Sequence, residues 1–267
     1  MTDRLSQESG RSIFGADVAG YHQVRVDYPG ALYAAIAARI GDGPLDSIAE
    51  IGPGTGIASA QLLQFEPGRL VGFEPDRQLA AHLEATIPAM EVIARDFVSA
   101  EVSGSFDLVA AAACFHWLDP QAGLAKIGRI LRPGGCVALW WNVYREAGIG
   151  DDFAQAVLPL LADVALPPSE GEAGHYSLDW KLHMGRLTDA GFVDPTFIVY
   201  RRERFLTPQM ARDLYASFSF VRALEPGRRE ALLSSIARIV CDRFDGLARA
   251  IILTPLYLAS NPPRDGV

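Results

Sequence analysis

The sequence has few cysteines and no long run of apolar residues. Its 267 residues include 3 cysteines, at positions 114, 136 and 241, and no pair of them has the spacing of metal ligands. We therefore expect buried free thiols rather than a disulfide framework, and no metal site. No segment reaches the roughly 18 consecutive apolar residues of a membrane span, and residues 1–12 lack the apolar core of a signal peptide. These absences predict a soluble, cytoplasmic protein with no membrane partner.

Basic charge is also scarce. The chain has 24 basic residues against 32 acidic ones, which gives a formal net charge of −8. Proteins that bind nucleic acid through its phosphates usually carry a basic face, so no nucleic-acid partner is expected. Hydrophobic residues make up 49% of the chain and charged residues 21%, which is the composition of a globular protein and excludes a disordered one.

Segments typical of buried strands alternate with segments of helical periodicity from residue 45 onward. Strands are predicted at 45–51, 69–73, 91–94, 106–113 and 136–141, and helices at 55–65, 76–86 and 119–131. Such alternation implies a mostly parallel sheet with helices on both faces. Two later strand segments complete a Rossmann-like, seven-stranded α/β fold. Ligands of such folds bind beyond the carboxyl ends of the strands.

The chain shows no linker that would separate a second core, so a single domain over residues 1–267 is predicted. Its parts are an N-terminal lid (1–44), a core (45–142), helical additions (143–192 and 206–246) and two final strands (193–205 and 247–258). The lid and the helical additions are expected to cover the carboxyl ends of the strands. That arrangement would form a closed pocket for a small ligand.

A glycine-rich loop follows the first predicted strand. Residues 50–56 read Glu-Ile-Gly-Pro-Gly-Thr-Gly, and three glycines in five residues let a ligand approach the backbone closely. A phosphate loop needs a lysine here, and a dinucleotide loop places its third glycine three residues after the second. Gly56 comes one residue too early for the dinucleotide pattern. Glu74, twenty residues after Gly54, ends the second strand, where a carboxylate can accept both hydroxyls of a ribose.

The motifs in order resemble those of the class I S-adenosylmethionine-dependent methyltransferases. They are Glu50-x-Gly52-x-Gly54-x-Gly56, Gly72-x-Glu74-Pro75-Asp76, Asp96-Phe97, Phe106-Asp107-Leu108-Val109, Phe115-His116-Trp117 and Leu131-Arg132-Pro133-Gly134-Gly135. The resemblance covers residues 45–142 strongly, and Pro53 is a departure that occurs in some members. It implies an enzyme that uses S-adenosylmethionine and releases S-adenosylhomocysteine.

The resemblance also implies which residues bind the cofactor. They are Tyr21, Glu50, Gly52, Gly54, Gly56, Glu74, Pro75, Asp96, Phe97 and Ala113. The glycine backbone would pass under the methionine moiety and the ribose, and Glu74 would hold the ribose hydroxyls. Asp96 would accept from the adenine amino group, with Phe97 near the ring. The Ala113 carbonyl would accept from the methionine ammonium, and Glu50 would order the loop or reach that ammonium through water.

The methyl acceptor must be aligned with the cofactor, and the protein mainly supplies that alignment and the exclusion of water. Phenols and alcohols usually need a base, whereas carboxylates need none. His116, after the fourth strand, is the candidate catalytic base, with packing beside Trp117 as the alternative. Trp180, Phe218 and Arg222 are candidate acceptor-binding residues, because their segments combine aromatic and hydrogen-bonding groups. Ordinary packing is the alternative for each of them.

Residues 217–222, Ser-Phe-Ser-Phe-Val-Arg, resemble part of the later half of methyltransferases related to trans-aconitate methyltransferases. We therefore expect methyl transfer to a small organic acceptor, at oxygen, by a monomer or homodimer, with Tyr21 covering the cofactor. The alternatives are a noncatalytic S-adenosylmethionine-binding protein and an NAD(P)-dependent oxidoreductase. A macromolecule-modifying enzyme is a further alternative, against which the acidic charge counts.

Overall fold

The computed structural model describes residues 26–41, 43–144, 149–164, 170–171 and 174–263. Tyr21 and most of the predicted lid lie outside these residues. The chain divides into two compact units. The first takes its described residues from Asp27–Trp141, Ser177–Tyr200 and Thr254–Val267, and the second takes them from Met1–Val26, Asn142–Tyr176 and Arg201–Leu253. The single domain with an N-terminal lid stays a prediction.

Strands and helices alternate along the first half of the chain, as the sequence predicts. The strands are β1 (Ser47–Ile51), β2 (Arg69–Phe73), β3 (Met90–Ile93), β4 (Phe106–Ala112), β5 (Leu131–Trp140), β6 (Glu170–Gly171), β7 (Gly174–His175), β8 (Val193–Leu206) and β9 (Ala248–Ser260). The helices are α1 (Gly30–Ile40), α2 (Ile57–Leu62), α3 (Arg77–Thr86), α4 (Pro120–Ile130), α5 (Asp152–Val157), α6 (Trp180–Asp189), α7 (Pro208–Ala216), α8 (Ser219–Arg222) and α9 (Pro226–Phe244).

Seven strands form one sheet in the order β3-β2-β1-β4-β5-β9-β8. The neighbours from β3 to β5 are parallel, and β9 runs antiparallel to β5. Every residue of β1 is buried, as expected for a central parallel strand that is covered on both faces. The predicted seven-stranded, mostly parallel α/β fold is confirmed. The carboxyl ends of β1, β2 and β4 lie at one edge of the sheet, because these strands are parallel neighbours.

Local signals in the sequence set several helix starts. The Asp76 carboxylate accepts from the backbone N–H groups of Gln78 and Leu79, and so caps α3. The Asp119 side chain caps α4, which has proline in its first turn. These short polar side chains satisfy N–H groups that the first turn of a helix leaves without partners. Both helix starts were predicted from the sequence.

Strand β5 differs from its prediction. It begins at Leu131, whereas the sequence analysis predicts a strand only over residues 136–141. The pairing with β4 moves from Phe106↔Leu131 directly to Leu108↔Cys136, so the residues between form a bulge inside the strand. Gly134 has φ 75°, which glycine adopts without strain. The strand therefore begins earlier than predicted, with residues typical of turns inside it.

Each unit has its own apolar core. In the first unit the core combines residues of β1, β4 and β5 with side chains of α1, including Leu32 and Ile36. In the second unit α5, α7 and α9 contribute buried residues such as Phe153, Leu214 and Ile236. None of the described helices is long and apolar enough to cross a membrane.

Candidate functional site

The loop after β1 carries the three glycines, all with positive φ. The angles are 59° at Gly52, 61° at Gly54 and 84° at Gly56. A Cβ atom at Gly52 would lie 2.8 Å from Cβ of Cys114, and one at Gly56 would overlap the Ile87 side chain. Nothing lies within 4 Å of a Cβ at Gly54. Packing against Cys114 therefore requires glycine at the first position. At the third position the Ile87 side chain would have to shift, and the middle glycine borders open space.

Glu74 connects the end of β2 to this loop. Its Oε2 accepts from the N–H of Gly54 at 3.0 Å, and its Oε1 accepts from the N–H of Asp76 at 3.0 Å. Burial raises the pKa of the Glu74 carboxyl, and the two backbone donors oppose that shift. Because a carboxylate accepts about four hydrogen bonds, each oxygen can still accept from a ligand hydroxyl. The backbone thus orients a buried acid beside the glycine loop.

Glu50 is a second buried acid, at the end of β1, and its side chain is fully buried. The Ser59 hydroxyl donates to its Oε2 at 2.6 Å, while its Oε1 has no hydrogen-bond partner among the described residues. Burial raises the pKa of Glu50 to about 8, against the effect of the Ser59 hydrogen bond and with a further rise from the charge of Glu74. A buried polar atom without a partner is costly, so Glu50 Oε1 is a candidate ligand contact.

The segment after β3 carries the predicted adenine-binding pair. Asp96 Oδ1 accepts from the N–H of Val98 at 2.9 Å, which closes a turn. The Phe97 ring is buried and meets the Phe73 ring edge-on, with centroids 5.2 Å apart. We call residues 96–100 the adenine loop. Its backbone hydrogen bond from Ala100 to the Asp96 carbonyl, at 2.9 Å, makes it compact.

Lys126 supports the adenine loop from α4, although the sequence analysis did not select it. Its Nζ donates to the carbonyls of Phe97 and Ala100, and it lies 3.4 Å from the carbonyl of Val98. The ammonium also lies 4.9 Å from the centroid of the Phe97 ring. Burial lowers the pKa of Lys126. A lysine on the buried face of α4, between Gly123 and Ile130, was the signal that could have revealed this role.

His116 lies in a single turn of 3-10 helix, Phe115–Trp117, shortly after β4. Trp141 Nε1 donates to His116 Nδ1 at 3.1 Å. Ala113, at the start of this connection, has φ 55°, and its N–H donates to the carbonyl of Trp140 at 2.7 Å. A non-glycine residue with positive φ is uncommon and often marks a functional site. The predicted catalytic candidate thus lies in the same unit as the glycine loop and Glu74.

The candidate acceptor residues fall in both units. Trp180 begins α6 in the first unit, with its side chain 49% exposed. Phe218 and Arg222 belong to the second unit. The Phe218 ring is buried and meets Tyr144 edge-on at 5.5 Å, and Arg222 Nε donates to the Ala216 carbonyl at 3.3 Å. The acceptor-binding roles of all three stay predictions.

Of the remaining predicted cofactor-binding residues, the structure describes Pro75 but not Tyr21. Pro75 is exposed between Glu74 and α3, and Tyr21 lies outside the described residues. In the part of the chain that the structure describes, no group of three or more His, Cys, Asp or Glu side chains could hold a metal ion. The geometry described above therefore rests on backbone groups, carboxylates and aromatic rings.

Comparison with known sequences identifies the segment that contains the glycine loop and Glu74. A family described as "Methyltransferase domain" matches residues 49–139. The chain is 25% identical to a methyltransferase-like protein of Schizosaccharomyces pombe, over 88% of this chain and 90% of that protein. It is 27% identical to another methyltransferase of this yeast, over 49% of this chain and 52% of that protein. It is 34% identical to trans-aconitate 2-methyltransferase of Deinococcus radiodurans, over 45% of this chain and 46% of that protein.

Solved structures share the fold. A candidate type II methyltransferase of Anaeromyxobacter dehalogenans has a TM-score of 0.63 and 19% identity, over 90% of this chain and 99% of that one. Phosphoethanolamine N-methyltransferase 2 of Haemonchus contortus, solved with S-adenosylhomocysteine, has a TM-score of 0.54 and 16% identity, over 95% of this chain and 60% of that one. The strand order, the ordered motifs and the family match agree. Residues 49–139 are a methyltransferase domain with the strand order and ordered motifs of the class I S-adenosylmethionine-dependent methyltransferases, and we identify the chain as an S-adenosylmethionine-dependent methyltransferase.

Proposed function

We propose that this enzyme transfers the methyl group of S-adenosylmethionine to an oxygen atom of a small organic acceptor. The observation that carries the proposed cofactor site is the link between Glu74 and the glycine loop. The backbone N–H of Gly54 holds one oxygen of the carboxylate, and the space above Gly54 is open. A ribose lying on this backbone would place its hydroxyls within reach of Glu74.

The other predicted residues fit the remaining parts of this cofactor. Glu50 offers a buried oxygen without a partner among the described residues, which suits a contact with the methionine ammonium, directly or through water. Asp96 would accept from the adenine amino group, on a loop that Lys126 supports. The Ala113 carbonyl would accept from the ammonium near the carboxyl end of β4. When bound, S-adenosylmethionine supplies an electrophilic methyl group on a sulfonium, and these residues would orient it.

The small oxygen acceptor is supported by similarity and by charge. Trans-aconitate 2-methyltransferase, a relative at 34% identity, is named for a carboxylate substrate. The formal net charge of −8 counts against a polyanionic substrate such as RNA. We propose that His116 and Trp180, which both belong to the first unit, act on the acceptor side. The acceptor-binding roles of Phe218 and Arg222 stay predictions from the sequence. Methyl transfer to a carboxylate oxygen would need no base.

The test is an assay of the full chain with methyl-labelled S-adenosylmethionine and a metabolite extract. The expected result is a labelled small product whose methyl group is released by mild alkali, as from a methyl ester. A Glu74→Ala variant is the matched control, and it should label the same product much more slowly at low cofactor concentration. Labelled protein or nucleic acid in place of a small product would contradict the proposal.

A further inference from the structure

Two acidic side chains are buried at the neighbouring ends of β1 and β2. Glu50 is 0% exposed and Glu74 is 5% exposed. Glu50 lies opposite Gly72 in the pairing of the two strands, and Glu74 follows two residues later. The charge of Glu74 raises the pKa of Glu50, so the two groups are coupled. Because two carboxylates that share a site repel each other, one of them favours its neutral form.

The hydrogen bonds of the two acids indicate which one is ionised. Both oxygens of Glu74 accept from backbone N–H groups, those of Gly54 and Asp76, each at 3.0 Å. Hydrogen bonds of this kind favour the charged form of a carboxyl group. Glu50 accepts only from the Ser59 hydroxyl, at 2.6 Å, and its Oε1 has no partner among the described residues. We therefore expect an ionised Glu74 beside a neutral Glu50 before the cofactor binds.

The elements around Glu50 contribute no positive charge to it among the residues that the structure describes. Its neighbours across the sheet are Gly72 on β2 and Ala110 on β4. Helix α2 contributes the serine hydroxyl, and α1, which packs on the same core, contributes apolar side chains and the Tyr33 phenol. Burial and the charge of Glu74 raise the pKa of Glu50 to about 8, against the lowering by the serine hydroxyl. A cation that Glu50 could pair with must therefore come from a ligand.

We propose that Glu50 carries a proton before the cofactor binds and loses it when S-adenosylmethionine binds, and that its charge then favours this cofactor over the product. Both acids adjoin the glycine loop of the proposed cofactor site, on which this proposal rests. S-adenosylmethionine has a sulfonium, an ammonium and a carboxylate, so it carries one net positive charge. A nearby positive charge favours the ionised form of an acid. The proton passes to the buffer, and no other bond changes.

The charge of the acid pair distinguishes the cofactor from the product. With Glu50 neutral, the pair of Glu50 and Glu74 carries one negative charge, and with Glu50 ionised it carries two. Two buried negative charges attract a cation more strongly than a molecule without net charge. Methyl transfer removes the sulfonium charge, so S-adenosylhomocysteine is neutral overall and the proton returns to Glu50 more readily. Glu50 would thus promote the exchange of product for new cofactor.

The direct test is calorimetric titration of the full chain with S-adenosylmethionine near pH 7, in two buffers of different ionisation enthalpy. The difference between the buffers counts the protons released, and we expect about one per cofactor bound. Glu50→Gln has the shape of the neutral acid but no proton to lose, so it should bind without this release. Cofactor binding without proton release in the wild type, or with equal release in the variant, would overturn the proposal and leave the cofactor site intact. Absence of binding would contradict both.

The pH dependence of binding gives a second measurement. As the pH rises toward the pKa of Glu50, about 8, the Kd of the wild type for S-adenosylmethionine should fall by up to about tenfold per pH unit. Glu50→Gln should have a similar Kd near pH 6 and one about tenfold higher than the wild type near pH 7.5. Glu91→Gln, at an exposed acid on β3, is the matched control and should follow the wild type. Parallel pH profiles of the wild type and Glu50→Gln would contradict the proposal.

The preference for cofactor over product is tested by the ratio of the Kd for S-adenosylhomocysteine to the Kd for S-adenosylmethionine. In the wild type this ratio should rise at least about threefold between pH 6 and pH 7.5, because only an ionised Glu50 adds attraction to the sulfonium. It should stay constant in Glu50→Gln, and a constant ratio in the wild type would overturn the selectivity. If Glu50→Gln does not fold, Ser59→Ala decides. It removes the hydrogen bond that lowers the pKa of Glu50, so the fall in Kd should move to higher pH, and an unmoved profile would contradict the proposal.

Discussion

Lys126 offers a test of the proposed cofactor site at a residue that is not itself expected to touch the cofactor. We predict that Lys126→Met weakens the binding of S-adenosylhomocysteine. Methionine keeps most of the apolar length of the side chain and removes the ammonium. The carbonyls of Phe97 and Ala100 lose their charged donor, and the adenine loop loses its support from α4.

The size of the effect follows from opposing contributions. Hydrogen bonds to a charged group contribute about 1.5–3 kcal/mol each, whereas burial of the ammonium costs several kcal/mol, which offsets much of this gain. Carbonyls left buried without a donor would cost about 1–3 kcal/mol each. We expect a net loss of about 2–4 kcal/mol in the free energy of unfolding. If about 1.4–2.7 kcal/mol of loop ordering must then accompany binding, the Kd rises roughly 10–100-fold.

Calorimetric titration with S-adenosylhomocysteine, together with thermal unfolding, measures both quantities. Arg129→Met is the matched control, since it removes one positive charge from the exposed side of the same helix. The control should leave the Kd within about twofold of wild type, because exposed charges contribute little. Wild-type affinity in folded Lys126→Met would refute the view that this ammonium organises an adenine-binding loop.

Three further predictions concern the acids and the glycine loop. Glu74→Ala should raise the Kd for S-adenosylhomocysteine at least about tenfold, since each hydrogen bond from a ribose hydroxyl to the carboxylate contributes about 1.5–3 kcal/mol. The control Glu91→Ala, on β3, should leave the Kd unchanged. Equal Kd values for the two variants would place the ribose elsewhere. Gly54→Ala should cost about 1–2 kcal/mol of stability, because its φ is 61°. It should weaken cofactor binding by more, because the added methyl group enters the open space above the loop. Titration and thermal unfolding compare the two losses, and undiminished affinity would contradict this geometry. The pKa of Glu50 rises from 4.5 to about 8, so the folded state retains a proton that the unfolded chain releases, and stability should fall by at most about 1.4 kcal/mol per pH unit across that window. Denaturant unfolding at several pH values measures this dependence. In Glu50→Gln the free energy of unfolding should fall less steeply with pH than in the wild type, and an equally steep fall would assign the proton to another group.

Features encoded by neighbouring residues were predictable from the sequence. Asp76 and Asp119 cap their helices through backbone groups two or three residues away, so short motifs identify them. The glycine loop and Glu74 also follow from local spacing, since each lies where a buried strand ends. The parallel sheet makes these ends meet, whereas Asp96, Phe97 and Ala113 were named from the family resemblance.

Contacts between distant segments were not predictable in this way. The carbonyls held by Lys126 lie on another segment of the chain, and the indole that contacts His116 belongs to Trp141, after β5. No local pattern links such partners. The bulge in β5 was missed for a similar reason, because a proline and two glycines read as a turn until the pairing with Phe106 is known.

The central claim is that the first unit binds S-adenosylmethionine through the glycine loop, Glu74 and the adenine loop. Titration of the purified chain with S-adenosylhomocysteine in the presence of EDTA, beside an identical titration with NAD, tests it most directly. We predict saturable binding of S-adenosylhomocysteine near one per chain, and no binding of NAD. Binding of NAD without binding of S-adenosylhomocysteine or S-adenosylmethionine would contradict the account.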